Sequence, residues 1–145
     1  MAVTMQLYNH TTRRFADGSN AAADVYKVAL LNSSSSFVAS HTAASNVMTG
    51  VEVYGNGWTQ GGETLANVAI STTTTNDAMF DADDISVTAT GGAIGPAYNA
   101  VLINTSDSGS PPVAYINFGE AKQADVGTPF KINWNAAGII TFTYT

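Results

Sequence analysis

From residue 25 onward, apolar side chains recur at every second position, in short runs separated by Gly, Asn, Asp, Ser and Pro. In VYKVALL (25–31) both alternating sets are apolar, which predicts a strand covered on both faces. AYNAVLINT (97–105) and PVAYINFG (112–119) read the same way, and ETLANVAIS (63–71) is a further strand. DISVTA (84–89) alternates cleanly, with Ile85, Val87 and Ala89 inward and Ser86 and Thr88 outward. FKINW (130–134) sets Phe130, Ile132 and Trp134 against Lys131 and Asn133. GIITFTY (138–144) sets Ile140, Phe142 and Tyr144 against Thr141 and Thr143. The turn NAAG (135–138), which links these last two runs, predicts that they form an antiparallel hairpin.

The first segment has another period. Met5, Tyr8, Thr12 and Phe15 fall on one face of a 3.6-residue repeat, which predicts a helix. Thr4 can cap its start, Arg13 and Arg14 suit the negative end of its dipole, and Gly18 suits a left-handed stop. The alternative is an extended arm that docks on a neighbour, since the helical propensities in its middle are weak. HTAASNVMTG (41–50) has room for one short helical turn. Turn clusters such as ADGSN, NSSSS, TGGAIGP and SDSGSPP punctuate the rest. Many short strands without alternating helices predict an all-β fold, an antiparallel β-sandwich or jelly roll with a short N-terminal helix or arm over residues 1–18. With no internal repeat and no linker, residues 1–145 are expected to form one domain.

Composition narrows the function classes. Only 11% of the 145 residues are charged, against 45% hydrophobic ones, where about 25% charged is usual. Ser, Thr, Asn and Gly take the place of charge, so the surface is one of hydroxyls and amides, open to being covered in an assembly. The net charge is −6 with five cations, of which only Arg13 and Arg14 adjoin. Neither nucleic acid nor an acidic membrane surface is an expected partner, because both require clustered cations. Without cysteine there is no disulfide, thiolate nucleophile or cysteine-bound metal. The opening MAVTMQLYNHTTRRF is not the pattern of a secretion signal, and no apolar stretch approaches the roughly 18 residues of a membrane helix. The chain is expected to be soluble and made as it stands.

Four features carry candidate chemistry. VEVYGNGWTQGGETL (51–65) is rich in glycine, as phosphate-binding loops are. Its spacing breaks at Gln60, however, no Lys-Ser or Lys-Thr follows Gly62, and the next run is a strand. It reads as a chain turn. Within it, Trp58 and Tyr54 suit a stacking platform for a sugar; against that, Trp58 packs over the open end of the sandwich or, preferred here, into an interface with another subunit. Tyr8 and Phe15 of the N-terminal segment are further interface candidates. In NDAMFDADDIS, Asp81, Asp83 and Asp84, with Asp77, are weak candidates for a calcium loop. The run lacks the glycine and glutamate of a helix-loop-helix site, and a solvated turn explains it as well. His10 and His41 are the only histidines, and neither has a nucleophile setting such as G-x-S-x-G. No catalytic residue and no cofactor is expected.

VYKVALLNSS, then VEVYGNGWTQGGETL, FDADDISV, YNAVLIN, VAYINFGE and FKINWNAAGIITFT resemble, in that order, small virion structural proteins of tailed bacteriophages. The resemblance runs from about Asp24 to Thr143. Its most distinctive parts are turns and strand starts, so it implies fold and setting and carries over no contact residue. It implies a capsid cement or decoration protein, made in the host cytoplasm and carried on the outer capsid surface. The major capsid protein and copies of itself, in a homo-oligomer, are the implied partners. A neck, tail or spike component, or a glycan- or receptor-binding module, is the alternative.

Overall fold

The computed structural model describes residues 2–73 and 77–143. The main sheet is built on β2 (Tyr26–Leu31), β8 (Ile94–Asn104) and β9 (Pro112–Ala124), all antiparallel. Strand β1 (Thr4–Leu7) extends it beyond β9. At the other margin, β3 (Glu52–Val53) and β4 (Glu63–Thr64) both pair with β2. Two small sheets face it: β7 (Ile85–Thr88) with β10 (Pro129–Ile132), and β5 (Ala69–Thr72) with β6 (Ala78–Asp81) and β11 (Ile140–Phe142). The result is an all-β, sandwich-like fold.

The apolar core lies between these layers. Tyr26, Val28, Leu30, Leu102 and Ile116 of the main sheet pack with Phe80, Ile85, Phe130, Ile132 and Ile140 of the small ones. Phe80 is fully buried, and its ring lies 4.9 Å from Tyr26 and 5.2 Å from Phe15. The opposite face of the main sheet is covered too. Ala29, Leu31, Val101, Ile103 and Tyr115 form a second cluster with Val47 and, partly buried, Phe37 and Met48. These come from the loop after β2 and from the short helix α2 (Ala44–Met48). Asn46 holds the start of α2, its Oδ1 accepting from the backbone N–H of Ala43 at 3.0 Å. That second cover is why β2, β8 and β9 are apolar at nearly every position.

Three expectations are corrected. Residues 63–71 are not one strand: Glu63–Thr64 (β4) joins the main sheet and Ala69–Thr72 (β5) a small one. The N-terminal segment is not one helix: residues 4–7 form β1, and only Thr11–Ala16 are helical (α1). Four residues at a two-residue period, paired from Thr4↔Asn117 to Leu7↔Ala114, outcompete a helix whose middle, residues 8–12, lacks strong helix formers. The latter half keeps its signals, with Arg13 and Arg14 in the last turn and Gly18 at φ 82° beyond it. Residues 11–25 are tied down by a polar cluster. Arg14 pairs with Asp107, and Asn104 Nδ2 donates to Asn20 Oδ1 at 3.0 Å and to Asp24 Oδ2 at 2.9 Å.

The expected hairpin of residues 130–134 and 138–144 does not form. β10 pairs with β7 and β11 with β6, in different sheets. The chain is diverted at Trp134, whose backbone N–H donates to Asp84 Oδ1 at 2.7 Å and whose indole N–H donates to the Asp83 carbonyl at 3.1 Å. Past the turn, Ile139 N–H donates to the Phe80 carbonyl at 2.9 Å. The inward set is as expected for Phe130, Ile132 and Ile140, with Trp134 and Phe142 half-buried. Tyr144 lies outside the described residues.

Candidate functional site

The glycine-rich turn is a structural corner. Gly55 and Trp58 exchange both backbone hydrogen bonds, at 2.9 and 3.1 Å, around Asn56 (φ 55°) and Gly57 (φ 113°). Positive φ at both central residues is the geometry that Asn-Gly favours. Its amides have partners already: Thr59 N–H donates to Glu63 Oε1 at 2.6 Å, Gly61 N–H to Glu52 Oε1, and Gly62 N–H to the Thr59 carbonyl at 3.0 Å. Two carboxylates thus occupy the place a phosphate would take, and their charge repels an anion. This is no phosphate cradle.

Of the four interface candidates, only Tyr54 has a surface position, at 52% exposure. Trp58 points inward, 2% exposed, its ring 5.4 Å from Phe130 at a near-perpendicular angle. It offers no face to a sugar or to a neighbour, which corrects those two readings and leaves the one in which it packs onto the sandwich itself. Its indole N–H has no hydrogen-bond partner among the described residues. Tyr8 is also 2% exposed, set against Phe37 at 5.0 Å between ring centres. Burial, with Tyr115 nearby, raises its phenol well above the usual tyrosine value, so it stays neutral. Phe15 is half-buried against Phe80 and Phe142.

The aspartates do not converge. Asp83 Oδ2 accepts from Asn67 Nδ2 at 2.6 Å, Asp84 holds the Trp134 backbone, and Asp81 is half-buried at the end of β6. Among the described residues no three His, Cys, Asp or Glu side chains are grouped to hold a metal. Asp84 through its carboxylate and Asp83 through its carbonyl brace the chain at Trp134. His10 Nε2 lies 2.8 Å from the Pro112 carbonyl and helps seat α1 on β9.

The structure brings forward a different surface. β1 extends the main sheet past the small sheets opposite. Val3, Met5 and Leu7, on the face that would turn toward that second layer, are 58%, 39% and 37% exposed. Among the described residues β1 pairs with β9 alone, so its other edge is open. Beside it a cavity of about 660 Å³ lies between Val3, Met5 and Phe118 on one side and Ile132, Trp134 and Ile139 on the other. Lys122 and Lys131 stand at its margin. An open apolar strand beside an apolar hollow is a place for a second protein to pair and pack. The alternation Val3, Met5, Leu7 was the available signal, masked by the overlapping helical repeat.

No family model matches the chain, and neither the curated proteins nor the solved structures yield a match.

Proposed function

We propose that this chain is a structural protein of a tailed-bacteriophage virion, a capsid cement or decoration protein that binds across the joints between shell subunits. Its partners are the major capsid protein and copies of itself, its place is the outer capsid surface, and its task requires neither catalysis nor a cofactor. The sequence resemblance supports the setting. The observation that carries the assembly role is the overhanging β1 edge with Val3, Met5 and Leu7 beside the apolar cavity. A monomer gains nothing by exposing three apolar side chains on an open strand, whereas a protein that packs against a neighbour does. Many such contacts, repeated by symmetry, reinforce one another, because each engaged site raises the effective concentration of the next.

Virions assembled with Val3→Asp or Met5→Asp test this. Both positions are exposed, so the isolated fold should change in stability by no more than about 0.5 kcal/mol. The amount of the chain retained on purified particles should fall at least about tenfold, the equivalent of about 1.4 kcal/mol per contact. Unchanged retention with either charge in place contradicts the reading.

A further inference from the structure

The outer face of the main sheet changes character along three adjacent strands. Tyr8, Val101 and Tyr115 lie in the covered apolar cluster. Two residues further along the same face Asn99 on β8 pairs with Asn117 on β9, and Gln6 on β1, which pairs with Tyr115, stands diagonally next to Asn117, so three uncharged amides lie close together. At this point the pairing of β9 with β8 is interrupted. Ala97 pairs with Lys122 and Asn99 with Asn117, so residues 118–121 bulge out of register. Gly119, at φ 78°, makes the bend, and Asn117 Oδ1 fixes it by accepting from Gly119 N–H at 2.7 Å. Bulges of this kind redirect strands and side chains beside binding sites. Opposite the bulge the NSSSSF loop forms a wall, and a cavity of about 400 Å³ opens between them.

The floor of this cavity is already in place. Asn99 is only 7% exposed, and its Nδ2 donates to Ser35 Oγ at 2.8 Å. Ser35 Oγ lies in turn 2.9 Å from the Tyr115 hydroxyl. This leaves Asn99 Oδ1 and Asn117 Nδ2 without a hydrogen bond among the described residues, and likewise the Gln6 amide and the Ser33 and Ser36 hydroxyls. Donors and acceptors are therefore mixed and neutral. Tyr98, 37% exposed, and Phe37 add ring surface to the lining. The one carboxylate, Glu120, is paired with Lys122 at 2.6 Å, so the cavity attracts neither an anion nor a cation strongly.

Neutral hydrogen-bonding groups of both kinds, beside aromatic carbon, match a ligand that carries many hydroxyls around an apolar C–H face. We propose that this cavity binds a neutral saccharide, one or two sugar rings at the end of a glycan chain. Trp58 takes no part in it. The inference does not depend on the particle role, because it rests on a separate surface and is read on the isolated protein.

The test is an array of neutral hexose, deoxyhexose and N-acetylhexosamine oligosaccharides, with hexuronate oligosaccharides alongside, followed by saturation-transfer NMR on the ligands retained. At least one neutral oligosaccharide should bind. Its dissociation constant should rise about tenfold or more in Gln6→Ala and in Tyr98→Ala, the loss of about one good contact, while Tm stays within a few degrees. Both side chains are on the surface, so neither change endangers the core. Absence of binding to every neutral glycan, retention of hexuronates only, or binding that survives both substitutions overturns the proposal.

Discussion

Replacing Trp58 with alanine is expected to destabilise the isolated chain by about 3–5 kcal/mol, the usual loss when a large aromatic leaves a packed core. For a domain of this size that corresponds to a fall in Tm of roughly 10–20 °C. The cause is its position: Trp58 is 2% exposed and closes the core over Phe130, which itself contacts Phe118. Trp58→Phe should recover much of the loss. It refills part of the volume and removes an indole N–H that has no partner among the described residues. Urea or thermal unfolding of the three proteins measures this directly. An alanine variant with unchanged stability would return Trp58 to the surface role its sequence setting suggested.

Gly62→Ala is the second large effect. At Gly62, φ is +107°, and a Cβ there would stand 2.8 Å from both the carbonyl carbon and the oxygen of Val28. The backbone conformation alone costs an alanine about 1–3 kcal/mol. The contact cannot be relieved by a side-chain rotation, because the atoms it meets are backbone. Relief requires β4 to move off β2, breaking the Lys27↔Thr64 and Val28↔Glu63 pairs. Gly61→Ala is the control, since Gly61 has φ +86° with nothing within 4 Å of the added carbon. Gly62→Ala should therefore be the more destabilising of the two by at least about 1 kcal/mol, within the range seen for overpacked cores. Equal losses in chemical denaturation would mean that residues 61–64 do not approach β2 this closely.

Faces were easier to read from the sequence than partners. The two-residue period reports which side chains turn inward, and Ile85, Ala89, Phe130, Ile132 and Ile140 are buried as their alternation requires. It carries no information about which strand lies alongside. The link between β10 and β11 looked like a hairpin loop because nothing local announces that Asp83 and Asp84, some fifty residues earlier, grip Trp134. The N-terminus carried two periods at once. Met5, Tyr8, Thr12 and Phe15 fit a helix, Val3, Met5 and Leu7 fit a strand, and the open edge of β9 decided between them. Asn56-Gly57 announced a turn but not that the next side chain would plunge into the core. Both cavities depend on how wide the facing layers are and where β9 bulges, which are properties of the assembled sheets.

The central claim is that this is an abundant component of a virion shell, and its copy number tests that most directly. Virions produced from the genome that encodes the chain would be purified, and the chain quantified by mass spectrometry against the major capsid protein. A ratio comparable to that of the shell subunit is the predicted result. A few copies per particle would contradict the cement role and point to the neck, tail or spike, and complete absence would remove the protein from the virion altogether.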